Sequence, residues 1–331
     1  MSGSSTNSKS SIGASPSGFS LARRTLAGVA RRGSVRKLAI STPFVREVAW
    51  RFVAGEDLPG GLSVIRALNA RGVKGTLNYV GTHVRSEAEA IAAADEAIAA
   101  LRGLRAAGLD SHISVKPTQI GLDIRPELCR AQLRRVLDSA RDVGTFVRID
   151  MEESGYVEAI IGLFEEMREE YGAEQVGIVL QSYLRHRGDD LGRLAASGSR
   201  IRLVKGGYWE PADVVYRAKR DVDGAFYADI ERLLRGGRHP AIATHDPVAI
   251  GLACRVAAST GLAKDAFEFQ MLYGVRSDLR DRLVRAGYIV RCYVPYGGQW
   301  YEYVLGCLRR VPGGVLQQAR DRVARAARSR R

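Results

Sequence analysis

The chain has 331 residues, 46% of them hydrophobic, enough for one large domain or two small ones, and it holds no run of about eighteen apolar residues that would span a membrane. Its four cysteines, Cys129, Cys254, Cys292 and Cys307, show no C-x-x-C spacing, which excludes a zinc site or a disulfide framework and predicts a reduced, cytoplasmic protein. The net charge of +14 is confined to the two ends and leaves +1 for the body, whereas a nucleic-acid enzyme concentrates positive charge on the folded face around its site.

Residues 1–20 contain nine serines and cannot bury a core, so disorder is expected. Residues 21–50 form a basic, partly amphipathic segment. Its Ser- and Arg-rich, acid-free composition is that of a transit peptide, but its apolar content favours helices that cover the bottom of the folded body. Residues 1–46 hold eight Lys or Arg and no acid, and residues 320–331 hold six Arg and one Asp. Solvated tails are the plain reading of 1–46 and of the Arg-rich stretch 316–331. The sharper one is weak attraction to nucleic acid or to an anionic inner-membrane surface, the latter worth about 1 kcal/mol per basic residue near the headgroups.

Eight short β-branched runs then follow, at 74–80, 112–116, 146–151, 176–181, 201–205, 241–245, 267–271 and 288–294. Nearly every one ends on a polar or ionisable residue: Lys116, Asp150, Gln181, Lys205, Thr244 with His245, Gln270 and Tyr293. Between them, 86–108, 126–142, 156–171, 211–235, 246–260 and 277–287 carry apolar residues at helical spacing. The first of these places its acids early and its arginines late, which complements the helix dipole. Strand and helix thus alternate over residues 51–315, as in an α/β protein of the (β/α)8 TIM-barrel type. The active site of such a barrel is assembled from the C-terminal ends of its strands. An open doubly wound sheet is the rival, but 73–82 contains no G-x-G-x-x-G loop.

The second half carries the most specific motifs. Ile201-Arg-Leu-Val-Lys-Gly-Gly-Tyr-Trp-Glu-Pro211 runs a strand into a Gly-Gly turn, Ala241-Ile-Ala-Thr-His-Asp246 ends a strand on polar residues, and Tyr293-Val-Pro-Tyr-Gly-Gly-Gln-Trp-Tyr-Glu-Tyr303 is an aromatic-rich exit. With the stretches 113–122, 146–152, 179–184 and 267–274, they resemble the proline dehydrogenase family, in order and at matching spacing, from about Arg51 to Tyr303.

The resemblance implies an FAD-dependent barrel that moves a hydride from the carbon beside an amine nitrogen to flavin N5, giving an imine. A quinone or oxygen would reoxidise the flavin, and no metal is implied. Gln181, Arg202, Val204, Lys205, Gly207, Tyr208, Thr244 and His245 match the FAD cradle. There Arg202 and Lys205 would neutralise a pyrophosphate or the reduced flavin, and Gln181 would bond the ring edge. Lys116, Asp150 and Tyr293 match the catalytic wall: a Lys116–Asp150 ion pair with Tyr293 bonded to Asp150. Leu272 and Tyr303 match the substrate side. Asp150, Lys116 or a water chain is then the acceptor of the amine proton.

The departures concern the substrate carboxylate. The family carries an Arg pair shortly after the Trp-Tyr-x-Tyr segment, and counting from Trp300 those positions are Gly306 and Cys307. The Glu that pairs with one of those arginines is replaced by Thr82. Losing both sides of one ion pair leaves no buried charge unpaired, so the changes are physically coherent. Arg309 and Arg310, three residues on, keep nearly the same helix face about 4.5 Å along the axis. Three readings follow: oxidation of a proline-like substrate with an altered carboxylate, ordinary L-proline oxidation with the clamp moved to Arg309 and Arg310, or a non-catalytic flavin-binding protein.

Overall fold

The structure is a computed structural model that describes residues 46–47, 49–81, 84–185 and 188–310. Every strand lies in the compact unit that begins at Glu47. Eight strands pair in parallel and in chain order: β1 (Lys74–Tyr79), β2 (Ser111–Val115), β3 (Val147–Ile149), β4 (Val176–Gln181), β5 (Arg200–Val204), β6 (Arg238–Ala243), β7 (Glu268–Leu272) and β8 (Ile289–Tyr296). β8 pairs back onto β1 from Lys74↔Arg291 to Tyr79↔Tyr296. That closure removes the open doubly wound alternative and leaves no sheet edge.

The helices are α1 (Leu58–Asn69), α2 (Glu87–Ala106), α3 (Pro126–Asp142), α4 (Val157–Tyr171), α5 (Gly188–Ala196), α6 (Lys219–Gly236), α7 (Pro247–Thr260), α8 (Ser277–Arg285) and α9 (Trp300–Arg310). Local chemistry starts several of them. Ser86 caps α2 by accepting from Glu89 N at 3.2 Å, and Asp246 caps α7 by accepting from Val248 N at 2.9 Å, with Pro247 at the first helical position. The buried stripe of α2, Ala90, Ala94, Ala97, Leu101 and Leu104, repeats at the spacing of one helix face. Truncating a fully buried leucine such as Leu101 would cost about 2–5 kcal/mol.

Three sequence expectations change. Residues 211–218 are not helical. Leu184 and Val215 form an antiparallel bridge, and Tyr216 N donates to Tyr183 O at 2.8 Å, so cross-loop pairing overrides the helical pattern until Lys219. Helix α5 carries little helical signal in the sequence, being short and polar at its start. The described N-terminal residues sit at the barrel mouth, not beneath it. Trp50 meets the Trp300 ring at 5.2 Å and Ala54 N donates to Pro295 O at 2.8 Å. The reason is directional: α1 must deliver the chain to the base of β1, so it has to start at the other end. Gly274 reports the same closeness, since at φ 76° a Cβ there would lie 1.7 Å from Arg51 O. The tails expected at 1–20 and 316–331, and most of 21–50, lie outside the described residues.

The strand period of two divides the side chains. One set, including Leu77, Ile113, Ile149, Ile178, Leu203, Ile242, Phe269 and Val294, is buried against the helices. The other set is largely polar: Thr76, His112, Ser114, Arg148, Asp150, Gln181, Arg202, Gln270 and Arg291 are all buried. Arg202 of β5 reaches Ser114 of β2, Asp150 at the end of β3 and Gln270 of β7, which only the lumen can bring together. A lumen of this kind is usually filled by branched apolar side chains.

Candidate active site

The lumen opens where the C-terminal strand ends converge on Asp150. Its carboxylate accepts from Lys116 Nζ at 3.1 Å and from Tyr293 OH at 2.9 Å, both on Oδ2, while Oδ1 accepts from Arg202 Nη2. Strands β2, β3, β5 and β8 thus meet on one side chain that is 4% exposed. The guanidinium of Arg202 also lies over the Tyr293 ring, 5.3 Å from its centroid.

Burial by itself would raise the Asp150 carboxyl, but the Lys116 and Arg202 charges and the Tyr293 hydrogen bond outweigh it and hold the pKa below the ordinary carboxylate value. Burial likewise disfavours the Lys116 ammonium. The oxygens of Tyr208, Asp150, Tyr293 and Glu152 overcome that and hold Lys116 protonated well above its ordinary range. Tyr293 is pushed far up, by burial first and then by Asp150, so its phenol stays a donor. At neutral pH the wall is therefore an ammonium, a carboxylate and a neutral phenol.

Beside it, Gln181 Nε2 donates to Glu152 O at 2.9 Å. His245 Nε2 accepts from Leu272 N at 2.9 Å. Burial, with Arg276, pushes the His245 pKa down to about 4, so the imidazole is neutral and its Nδ1 carries the proton. Glycine is required at Gly206, where φ is 103° and a Cβ would meet the Tyr183 ring at 2.1 Å. That turn carries Gly207 and Tyr208 out of β5.

Lys205 and Thr244 are one residue out of step with the lumen set, and a one-residue step flips the face. Lys205 Nζ is held by Asp223 Oδ1 at 2.6 Å and Asp246 Oδ2 at 2.8 Å, carboxylates of α6 and of the α7 cap. Thr244 Oγ1 accepts from Asp246 N at 3.1 Å. Both residues brace the helix layer behind the mouth. Val204 is half-buried at the end of β5. Tyr303 lies on α9, which Trp300 anchors through Nε1 to Glu56 Oε1 at 3.0 Å. The side chains of Arg309, Arg310 and Cys307, and all of Thr82, lie outside the described residues.

Sequence reasoning passed over Glu152, Ser114, Arg148, Glu268 and Arg291. Glu152 is 3% exposed and accepts from Thr118 N at 2.9 Å and Thr118 Oγ1 at 2.7 Å. The signal was present as period-two polar residues within the runs or one residue past them: His112, Ser114, Lys116; Arg148, Asp150, Glu152; Glu268, Gln270. Among the described residues, no three His, Cys, Asp or Glu side chains are placed to hold a metal, and no helix is long and apolar enough to cross a membrane.

Comparison with known proteins extends the picture. The family model described as Proline dehydrogenase matches residues 62–306. The proline dehydrogenase of Deinococcus radiodurans is 37% identical over 286 residues, 86% of this chain and 92% of that protein. Proline dehydrogenase 1 of Bacillus subtilis (strain 168) is 35% identical over 267 residues, 81% of this chain and 88% of that protein. Among solved structures, proline utilization A from Bdellovibrio bacteriovorus, inactivated by N-propargylglycine, superposes with a TM-score of 0.76 at 25% identity, covering 88% of this chain and 35% of that one. The Corynebacterium freiburgense protein of the same name reaches 0.70 at 23% identity, which speaks for the fold alone. The chain spans about a third of the length of these two proteins.

Proposed function

Because this chain belongs to the proline dehydrogenase family and is an oxidoreductase acting on the CH–NH group of proline, we propose that FAD lies across its barrel mouth and that Lys116, Asp150 and Tyr293 form the wall facing the amine. The observation that carries this reading is the buried Asp150 carboxylate, held by donors from three other strands. The donor set fits a flavin. Arg202 brings a fixed positive charge to the mouth, Gln181 an amide and His245 a neutral imidazole with a proton on Nδ1, all on the lumen face. Gly207 and Tyr208 border them on the turn that leaves β5. Lys205 and Thr244 support that arc from the helix layer. When bound, the flavin supplies the hydride acceptor that no side chain of this chain provides.

The wall has a different task. Hydride loss from the carbon beside nitrogen requires a nitrogen lone pair, so the amine must first give up a proton. Lys116 is already protonated, and both Asp150 oxygens are engaged by cations and a phenol. Water is therefore the acceptor in this reading, and the wall orients the neutral amine. Purified protein should show an oxidised flavin spectrum that bleaches anaerobically with L-proline. A colourless protein that neither takes up FAD nor oxidises proline would sink the reading.

A second proposal concerns the carboxylate. Gly306, Cys307 and Thr82 stand where family members carry Arg, Arg and Glu. Charge-assisted bonds of that kind are worth roughly 1.5–3 kcal/mol each. Free proline should then saturate poorly, and a ring amine whose carboxylate is absent, esterified or displaced should turn over better. Tight turnover of L-proline that is abolished by Arg309→Ala or Arg310→Ala would show instead that the clamp has moved. We further propose a cytoplasmic enzyme with a quinone or oxygen as electron acceptor. Its basic ends would give it weak contact with an anionic membrane, testable by cosedimentation with anionic and neutral vesicles.

A further inference from the structure

The contacts of Arg202 lead in two directions. Nη2 donates to Asp150 and, at 3.3 Å, to Ser114 Oγ, while Nη1 donates to Gln270 Oε1 at 3.3 Å. A glutamine amide has an acceptor end and a donor end, and its shape does not decide which faces the guanidinium. Glu268 decides it. Arg291 Nε lies 3.0 Å from both Glu268 oxygens, and Arg291 Nη1 is tied to Gly75 O at 2.7 Å. Burial would raise the Glu268 pKa, but Arg291, Gln270 and Arg148 outweigh it and keep the carboxyl ionised. An ionised carboxylate only accepts, so Gln270 turns its NH2 to Glu268 Oε1 at 2.5 Å and its carbonyl to Arg202.

We propose that Glu268 and Gln270 are positioning residues for the oxidation: the carboxylate fixes the polarity of the amide, and the amide holds one arm of Arg202. The other arm is thereby kept on Asp150 Oδ1, which leaves Oδ2 for Lys116 and Tyr293. The proposal rests on the reading of that wall as the face toward substrate. With an amide at position 268, neither polarity of Gln270 is enforced. An N–H facing the N–H of Arg202 would then push the guanidinium off Asp150, and nothing else described in the lumen would replace the lost acceptor for Nη1. All the groups in the chain are buried or nearly so. Gln270 is 3%, Arg202 5% and Arg291 7% exposed, so water does not substitute readily.

A plain counter-charge role for Glu268 would stabilise the barrel without touching Arg202, and a double-mutant cycle separates the two. Glu268→Gln and Gln270→Met are each made in the wild type and in Arg202→Lys, and Gln270→Met carries the test if Glu268→Gln fails to fold. The proposal expects about a tenfold slower reduction of bound flavin by L-proline in each single variant, with KM changed less than twofold. In the Arg202→Lys background the same substitutions should change the rate less than twofold. In the flavin-free protein, the Arg202 guanidinium N–H resonances should be sharp in the wild type and averaged in both variants. An equal tenfold loss in both backgrounds, or unchanged rates and sharp Arg202 resonances in the single variants, overturns the proposal. Asp150→Asn reports on the premise: if it leaves flavin reduction unchanged, the wall reading itself fails. A large loss in Asp150→Asn beside no loss in Glu268→Gln and Gln270→Met overturns this inference alone.

Discussion

The two ends of the lumen are both charged, but they satisfy their charges in different ways. At the floor, Arg148 Nη1 donates to the carbonyls of Arg200 at 2.5 Å and Ile178 at 3.2 Å. His112 pairs with Thr76 Oγ1 at 2.8 Å, and Arg291 is fixed to Gly75 O. The carbonyls that hold the two arginines cannot move without moving a strand. At the mouth, Asp150, Lys116, Tyr293 and Arg202 satisfy one another through side chains alone, so each can exchange a partner for a ligand. The floor builds a scaffold and the mouth builds a site, with arginine serving in both.

The sharpest way to break this comparison is to remove one charge from each end. Asp150→Ala should keep its flavin and slow flavin reduction on the order of a thousandfold, within the range for a residue acting directly on proton or charge placement. Stopped-flow reduction measures this, and an unchanged rate would leave Asp150 a structural role only.

At the floor the expected loss is in stability, and it depends on which arginine goes. Arg291→Met takes the ion-pair partner from the buried Glu268 carboxylate and should cost about 3–5 kcal/mol in urea unfolding. Arg148→Met removes a guanidinium whose pKa is driven well down, by burial first and then by Arg202, Arg200 and Arg291 despite Glu268. It leaves no lone carboxylate, so stability should stay within about 1–2 kcal/mol of wild type. Equal losses in the two variants would erase the distinction.

Acid sharpens the comparison further. His245 titrates at about 4 in the folded protein because burial, with Arg276, disfavours its charge. The unfolded chain takes up that proton near 6.5. Between those values the unfolded state binds more protons, so stability is fully present above about pH 6.5 and falls as pH drops toward 4, by about 3 kcal/mol for this residue. His112 at the floor is also held well below its ordinary value, by burial and then by Arg291 and Arg148, and adds to the same slope. Unfolding midpoints should decline over this window, and His245→Gln should flatten the curve. A profile that is flat from pH 7 to 4 would count against the neutral imidazole.

The smallest effect should come from Lys205. Its ammonium is about a quarter exposed and shared by Asp223 and Asp246, so solvent screens much of the interaction. Lys205→Met should lower stability by about 1 kcal/mol and leave flavin content intact. Loss of flavin would return Lys205 to the cofactor's own shell.

The amino-acid sequence by itself determined the order of strands and helices, because continuous apolar runs and helical spacing are local signals. It also made most of the mouth's polar set legible, since Lys116, Asp150, Gln181 and Tyr293 each lie at or next to the end of a run, whereas Arg202, near the start of its run, was reached through the family resemblance. The pairing of Lys116 with Asp150 was readable from neighbouring strands once a barrel was assumed, whereas that of Tyr293 with Asp150, across the lumen from β8 to β3, came from the family resemblance. Only the tertiary structure decided that Lys205 and Thr244 face the helix layer, because that follows from strand phase, which a one-residue boundary error reverses. Only closure of β8 on β1 placed Arg291 and Glu268 beside Arg148 and His112, turning scattered ionisable residues into one lumen network. Residues 211–218 likewise took their conformation from pairing with the preceding loop. Local pattern fixes what each segment is, whereas burial of charge is settled by which strands come to share one enclosed space.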